Sequence, residues 1–570
     1  MTQIDFNKSK FPVLGTVAST VLVKFESLDM PNGKNEIKYR LRQRLDAHDI
    51  LLERINGYFN RLPIIKLIVG LSCIFALAAT IYFGMHNYIV AYGDAESHLN
   101  IAKRTIQSIT PGMAQIGGVW LPLPHILMIP FVYFDTLWRT GLACSIVSGI
   151  FFVITSVFLF KLVFRVTGSK IASFCASLIF LLNPNVLYMQ STPMTEVVLM
   201  GFFLLSTYYF YLFLRNDTDF VALVLAAFFG FLATLSRYDG WLLVVIEGIV
   251  IILFYIKNSR LKKLLEGRLI LFSTLAFLGI FLWLLWDLLI LGDPFYFTNS
   301  QFSARTQQEN WLAKGELPAY RNIYLSFLYY FITSLSNAGI IIFSVFIISF
   351  LYYFIKERSK SNLFLALVLF APFLFYVITL YVGQSVIFIP ELTPKNFEWN
   401  LFNVRYGIMM VPVVSFFFAY LISKASYGLR VILILLIFLQ FALYLTGFSN
   451  IITLQDGIQG LSAAKKPDAE IWMAKNYDGG LVLLDDYART LSIIRSDLPM
   501  QSVIYIGNKP YWNDSLKEPE KYARWIVVQK DDAVWNNIYE NPVIQARLYK
   551  YFQKAYTSPE ILIFKNPNKY

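Results

Sequence analysis

Charged side chains are scarce in this chain, and those it has cluster at the ends of apolar runs. The stretch "AYGDAESHLNIAKR", residues 91–104, directly follows an apolar run and carries Asp94, Glu96, His98, Lys103 and Arg104. "NPNVLYMQSTPMTE" ends in Glu196, and "SRYDGW" supplies Arg237 and Asp239. Further on, "GDPFYFTNSQFSARTQQENW" carries Asp293, Arg305 and Glu309, and "PELTPKNFEWNLFNVRYG" carries Glu391, Lys395 and Arg405. Carboxylates and cations around one membrane-level cleft suit transfer from a membrane-bound phosphate donor. An acceptor hydroxyl loses its proton as it attacks, so a positioned carboxylate acts as base. The departing phosphate gains negative charge, which a nearby Arg or Lys stabilises. Asp94 is the preferred base, since it follows a glycine at the membrane edge and has Glu96 two residues away.

The same residues also admit plainer readings. Asp239 is equally placed to cap the helix that follows it. His125, beside Pro124, reads as a loop hydrogen-bonder, and Lys103, Arg104, Asp293 and Arg321 read as solvated or snorkelling anchors. Glu196 and Glu247 lie within apolar segments, where ionisable groups face a bundle interior or a water-filled cavity. Asp94 and Glu96 together offer oxygen ligands to a hard cation, although no cofactor or metal is expected.

The elements that must position these residues are membrane-spanning helices. The chain has 570 residues, of which 56% are hydrophobic and 15% charged, against about 25% charged in an ordinary soluble domain. Runs such as residues 140–160 and 197–214 carry no charge, and about 20 apolar residues suffice to cross a bilayer as a helix. The pattern predicts a polytopic α-helical membrane protein with eleven spans near 64–84, 140–163, 170–184, 196–214, 220–236, 240–257, 269–290, 338–356, 362–383, 405–423 and 430–448. Turns such as "KNSRLKKLLEGR" and "KERSKSN" are rich in Lys and Arg, which places them in the cytoplasm together with the N-terminus. An odd number of spans then puts the C-terminus and the loops 85–139, 291–337 and 384–404 outside. Residues 1–62 read as a basic amphipathic segment on the cytoplasmic membrane face. Residues 63–448 form the membrane module, and 449–570 a small extracytoplasmic α/β domain, in which "GGLVLLDDYARTLSII", "ARWIVVQKDD" and "PEILIFKNP" are strands and "NNIYENPVIQARLYKYFQKAY" is helical.

Several function classes are disfavoured. The net charge of +12 belongs to the orienting loops, so nucleic acid is not an expected partner. The three cysteines lie in apolar segments and form no disulfide framework. There is no P-loop and no glycine-rich dinucleotide fingerprint after a strand. A secondary transporter or lipid flippase predicts mid-bilayer charges and inverted repeats, whereas the chain has one mid-span acid, Glu247, and no repeat.

The layout resembles the GT-C superfamily of membrane glycosyltransferases, in particular the branch with dolichyl-phosphate-mannose–protein mannosyltransferases and aminoarabinose transferases (glycosyltransferase family 39 and relatives). The resemblance rests on "YGDAESH" after the first span, "NPNVLYMQSTPMTE" before the fourth, "SRYDGW" between the fifth and sixth, and "NVRYGIMMVP" at the tenth. It extends over about residues 60–570. It implies an inverting transfer from a polyprenyl-phosphate sugar (undecaprenyl or dolichyl type) to an acceptor hydroxyl at the outer face, often without a metal. The family's acidic catalytic residue in the first outer loop falls on Asp94, though this chain has Asp-Ala-Glu where the family often has adjacent acids. Arg405 resembles an arginine near the donor phosphate, with Arg237 and Lys395 as further candidates for that role. Glu96, His98, Glu196 and Asp239 would shape the site or bind the acceptor, which would be a glycan, lipid or protein. The protein would work as a monomer in the cell membrane, in contact with membrane lipid.

Overall fold

A computed structural model describes residues 63–256, 262–390, 392–393, 401–459, 467–486 and 491–569. The expected N-terminal amphipathic segment lies outside these residues. Six helices are long and apolar enough to cross a membrane: Ile64–Met85, Leu142–Thr167, Glu196–Arg215, Asp239–Ile256, Val404–Lys424 and Tyr427–Leu445. Four further helix pairs qualify if each bent pair is one span, making ten among the described residues. The remaining expected span, near 220–236, is the shorter apolar helix Phe220–Thr234.

The bends have local causes. Asn183 caps the helix Pro184–Ser191 by accepting from the N–H groups of Asn185 and Val186 at 2.9 and 3.2 Å, and proline is tolerated in a first helical turn. That cap ends the preceding helix, and the pair bends by 59°. The sharpest break, 118°, separates Ile323–Ala338 from Ile340–Lys356 at Gly339, whose φ of +89° favours glycine. The segment "NIYLSFLYYFITS" therefore does not continue straight into the next helix.

Burial ranks the helices by position. In Glu196–Arg215, 89% of the most apolar window is buried, whereas in Tyr427–Leu445 only 17% is and most of that helix lies at the surface of the bundle. Glu196 thus begins the innermost helix. The mid-span Glu247 is fully buried, and both of its oxygens lie within hydrogen-bonding distance of the Ser206 hydroxyl, at 3.1 and 3.0 Å. It has a buried partner and lies apart from the charged cluster described below.

The C-terminal region holds a five-stranded sheet: β1 (Val482–Leu483), β2 (Val503–Ile504), β3 (Trp525–Gln529), β4 (Gln553–Thr557) and β5 (Ile561–Lys565). Their order is β2-β1-β3-β5-β4, with β1 parallel to β2 and β3, and β5 antiparallel to β3 and β4. β3 is apolar and buried along "WIVV", as a central strand covered on both faces should be. The predicted strands contain β1, β3 and β5. The tail of the predicted helix differs, because the helix stops at Tyr551 and "QKAYT" joins the ladder as edge strand β4.

This region grips the helix Gly93–Arg104 and the loop after it. Arg104 pairs with Asp486, and its guanidinium lies 3.8 Å from the centroid of the Tyr505 ring. Asn508 donates to Thr110 Oγ1 at 2.9 Å, and Arg139 donates to the carbonyls of Ile494 and Leu498 at 3.2 and 3.3 Å. Lys103, read from sequence as an exposed anchor, is fully buried and donates to the Val132 carbonyl at 2.8 Å and to Asp135. Lys103 is covered by a segment 29 positions on and Arg104 by one 382 positions on, and neither contact is encoded in the local pattern around the two cations.

Candidate active site

The helix Gly93–Arg104 starts where the polar character of the chain starts. Asp94 and Glu96 fall in its first turn and Lys103 and Arg104 in its last, which complements the helix dipole at both ends. Residues four apart share a helix face, so Asp94 and His98 point the same way while Glu96 points elsewhere.

Three segment starts converge beside Asp94. Arg405 begins the segment Val404–Lys424, Glu196 and Asp239 begin their own spans, and Arg237 sits in the turn just before Asp239. Their side chains form one line of alternating charge. Arg405 Nη2 donates to Asp94 Oδ2 at 2.9 Å, and its Nε donates to Glu196 Oε1 at 3.3 Å. Arg237 Nη1 lies 3.1 Å from the same Glu196 oxygen, and Arg237 Nε is 3.1 Å from Asp239 Oδ2. The Glu196 side chain is 0% exposed, whereas that of Asp94 is 22% exposed, so the line opens to solvent at Asp94. Buried charges persist only when paired and hydrogen-bonded. Here each guanidinium serves two carboxylates, and three acids with two cations leave the line one negative charge in excess.

Tyrosines, which sequence reasoning passed over, surround this line. Tyr376 donates to Asp239 Oδ2 and accepts from Arg237 Nη2, both at 3.1 Å. Its ring stacks between Tyr330 and Tyr406 at 4.8 and 4.9 Å. Arg405 lies 5.0 Å from the centroid of Tyr92 and 5.1 Å from that of Tyr406, within cation–π range. Thr195 Oγ1 accepts from Arg237 at 2.9 Å. Tyr406 follows Arg405 in "NVRYG" and Tyr92 precedes "GDAESH", so adjacency to a singled-out charge was the available signal.

His98 is buried and its Nδ1 lies 2.8 Å from His125 Nε2, with Trp120 packed at 4.6 Å. One nitrogen of that pair donates, so the two imidazoles share a proton. Burial pushes the His98 pKa down to about 4, against the opposing pull of Asp94 and Glu196. At neutral pH His98 is uncharged. His125, read as a loop residue, instead lies inside the helix Leu123–Val132.

The predicted residues therefore separate into groups. Asp94, Glu196, Arg237, Asp239 and Arg405 come together, with His98 on the Asp94 face. Glu96 does not join them, since its carboxylate accepts from Ser492 Oγ at 2.6 Å and from the Ile494 N–H at 3.2 Å. Asp94 and Glu96 thus do not form one ligand pair, and among the described residues no group of three or more His, Cys, Asp or Glu is arranged to hold a metal ion. Lys395 lies outside the described residues. Both guanidinium groups pair with two carboxylates, and Arg405 is the one bonded to the partly open Asp94.

The fold and the site together define a polytopic membrane protein with a charged centre at one end of its helix bundle. No protein-family model and no curated protein matches the chain. Among solved structures, it is similar to ArnT from Cupriavidus metallidurans bound to undecaprenyl phosphate, at 11% identity and a TM-score of 0.51, covering 86% of this chain and 98% of that one. It is also similar to the apo state of the same protein, at 12% identity and a TM-score of 0.52, covering 86% and 97% of the two chains. The chain thus shares its fold with ArnT, in agreement with the fold that the sequence resemblance implied.

Proposed function

We propose that this protein is an inverting glycosyltransferase that moves a sugar from a polyprenyl phosphate to an acceptor hydroxyl at the outer face of the membrane. The observation that carries this reading is the Asp94–Arg405 pair: a partly open carboxylate bonded to a buried guanidinium, on a fold shared with a protein solved with undecaprenyl phosphate. A phosphate entering beside Arg405 competes with Asp94 for the guanidinium. As Arg405 turns to the phosphate, its pull on Asp94 weakens and the carboxylate becomes a better base. The acceptor oxygen then attacks the anomeric carbon from the face opposite the phosphate. The new carbon–oxygen bond forms as the bond to the phosphate oxygen breaks, and the hydroxyl proton passes to Asp94. Arg405 stabilises the charge that develops on the leaving polyprenyl phosphate.

Glu196 holds Arg405 directly, and Arg237, Asp239 and Tyr376 support Glu196 from the far end of the line. Neutral His98 faces the same side as Asp94 and offers an uncharged hydrogen-bonding group to the acceptor. Lys395, ten residues before Arg405 in the sequence, is a second candidate cation for the phosphate. Positive charge comes from these side chains, and the reading invokes no metal ion. The Lys- and Arg-rich turns support a cytoplasmic N-terminus and an extracytoplasmic C-terminal domain. The acceptor is a glycan, a lipid or a protein, and the chain acts as a monomer.

The test is direct. Purified protein in liposomes is given radiolabelled polyprenyl-phosphate sugars together with a membrane and cell-envelope extract as acceptor. Label should move from the lipid to an acceptor with release of polyprenyl phosphate. Failure of every donor, with the protein shown to be folded, would contradict the reading.

A further inference from the structure

Helices begin with N–H groups that have no partner within the helix. At the start of Val404–Lys424, where Arg405 sits, a carboxylate from elsewhere in the chain supplies that partner. Asp456, on the helix Ile452–Gln459 that follows the last span, is 2% exposed. Its Oδ1 accepts from the Asn403 N–H at 3.2 Å, and its Oδ2 accepts from the Arg405 N–H at 3.3 Å. A negative group is favoured there by the helix dipole as well. Asn403 has φ +56°, in the left-handed region that asparagine tolerates better than most residues. Its side chain is tied to the Val386 carbonyl at 3.0 Å, so the turn into Arg405 is held on both sides.

The same short helix also reaches the other half of the ion pair. The Tyr92 hydroxyl donates to the Thr453 carbonyl at 2.6 Å and lies 3.4 Å from Asp456 Oδ2. Tyr92 is two residues before Asp94, and its ring lies under the Arg405 guanidinium. The helix is itself fixed in place. The Thr453 N–H and hydroxyl each donate to Asn185 Oδ1 at 3.1 Å. A Cβ on Gly457 would lie 2.6 Å from the Tyr188 hydroxyl, so at this point the helix approaches closer than any other residue would allow.

We propose that Asp456 is a positioning residue for donor binding: by capping the turn at Asn403 and Arg405, it aims the Arg405 guanidinium at the donor phosphate. Asp456 need not touch substrate. The proposal rests on Arg405 being the phosphate ligand. It adds that the connection between the last span and the C-terminal domain sets the geometry of that ligand.

The experiment titrates full-length protein in detergent with farnesyl phosphate, a short polyprenyl phosphate, and expresses the affinity per folded molecule. Thermal midpoints are recorded in parallel. Asp456→Ala loses both acceptors, and farnesyl phosphate should bind about tenfold more weakly, the scale of a lost charged hydrogen bond. Asp456→Asn keeps one acceptor oxygen and removes a charge that competes for Arg405, so it should bind within about threefold of wild type. If Asp456→Ala does not fold, Asp456→Ser carries the same expectation, because its side chain is too short to reach both amides. A merely structural role would lower thermal midpoints and leave the affinity of the folded fraction unchanged, and that result overturns the proposal. Equal weakening in the Asn and Ala variants would overturn the assignment to hydrogen-bond geometry. Absence of farnesyl phosphate binding by the wild type would remove the phosphate role of Arg405, and this proposal with it. Binding by the wild type that Asp456→Ala leaves unchanged would overturn this proposal alone.

Discussion

Arg405 holds two carboxylates at once, so its removal takes a cation from both. Arg405→Ala leaves Asp94 and the fully buried Glu196 without that cation. Breaking a buried pair on one side costs about 3–5 kcal/mol. We expect a lower thermal midpoint together with loss of farnesyl phosphate binding, measured by scanning fluorimetry and titration; an unchanged midpoint would contradict the ion-pair line. His98 gives a pH test. Its folded pKa of about 4 lies below the ordinary 6.5, so the fold opposes its protonation. The stability tied to His98 is fully present above pH 6.5 and is lost as pH falls from there through 4. In protein carrying labelled histidine, one of the four imidazoles, identified by a His98→Gln spectrum, should stay neutral at pH 5.5; titration near 6.5 would contradict its burial. Asp94, Glu196, Arg237, Asp239 and Arg405 were legible as rare charges at the ends of apolar runs. Their pairing was not, because it joins segments up to 311 positions apart. Tyr92, Tyr376 and Tyr406 are three of 35 tyrosines, and nothing in the order of residues sets Tyr376 apart.

At the scale of elements, the site depends on how closely helices approach. Gly407, two residues after Arg405, has no room for a side chain: a Cβ would lie 2.4 Å from the Thr333 carbonyl oxygen and 2.7 Å from Asn337 Nδ2. Gly407→Ala should push the start of that segment away from Ile323–Ala338. Overpacking of this kind costs about 1–3 kcal/mol. The expected outcome is a lower thermal midpoint and weaker farnesyl phosphate binding in the same variant; wild-type values for both would show that the contact is slack. Uncharged runs marked the spans well, because a bilayer demands about 20 apolar residues per crossing. The bends were less legible. A glycine permits the break at Gly339 but does not by itself announce it, and "QKAYT" reads as helix because its pairing with β5 is a tertiary contact that local pattern does not encode.

For the whole molecule, the C-terminal domain is docked onto the helix that carries Asp94. Glu96 makes that connection through Ser492 and Ile494, and Arg104 makes it through Asp486 and Tyr505. The sequence placed an α/β domain after the last span, but its seat on the Asp94 helix was not visible there, because Glu96 reads as one more acid of the cleft. Glu96→Ala should increase amide hydrogen exchange across residues 491–498 and reduce transfer much less than a change at Asp94. Exchange rates unchanged from wild type would show that Glu96 does not fasten the domain.

The central claim is that Asp94 is the base in sugar transfer from a polyprenyl phosphate. The decisive measurement compares wild type and Asp94→Asn, at matched levels in liposomes, with the radiolabelled polyprenyl-phosphate sugar that the wild type uses. Asparagine keeps the shape and one acceptor oxygen and removes the basicity, so the account predicts a loss of at least about 100-fold in transfer rate with a smaller fall in thermal midpoint than in Arg405→Ala. Transfer by Asp94→Asn at the wild-type rate would contradict it and remove Asp94 from the reaction.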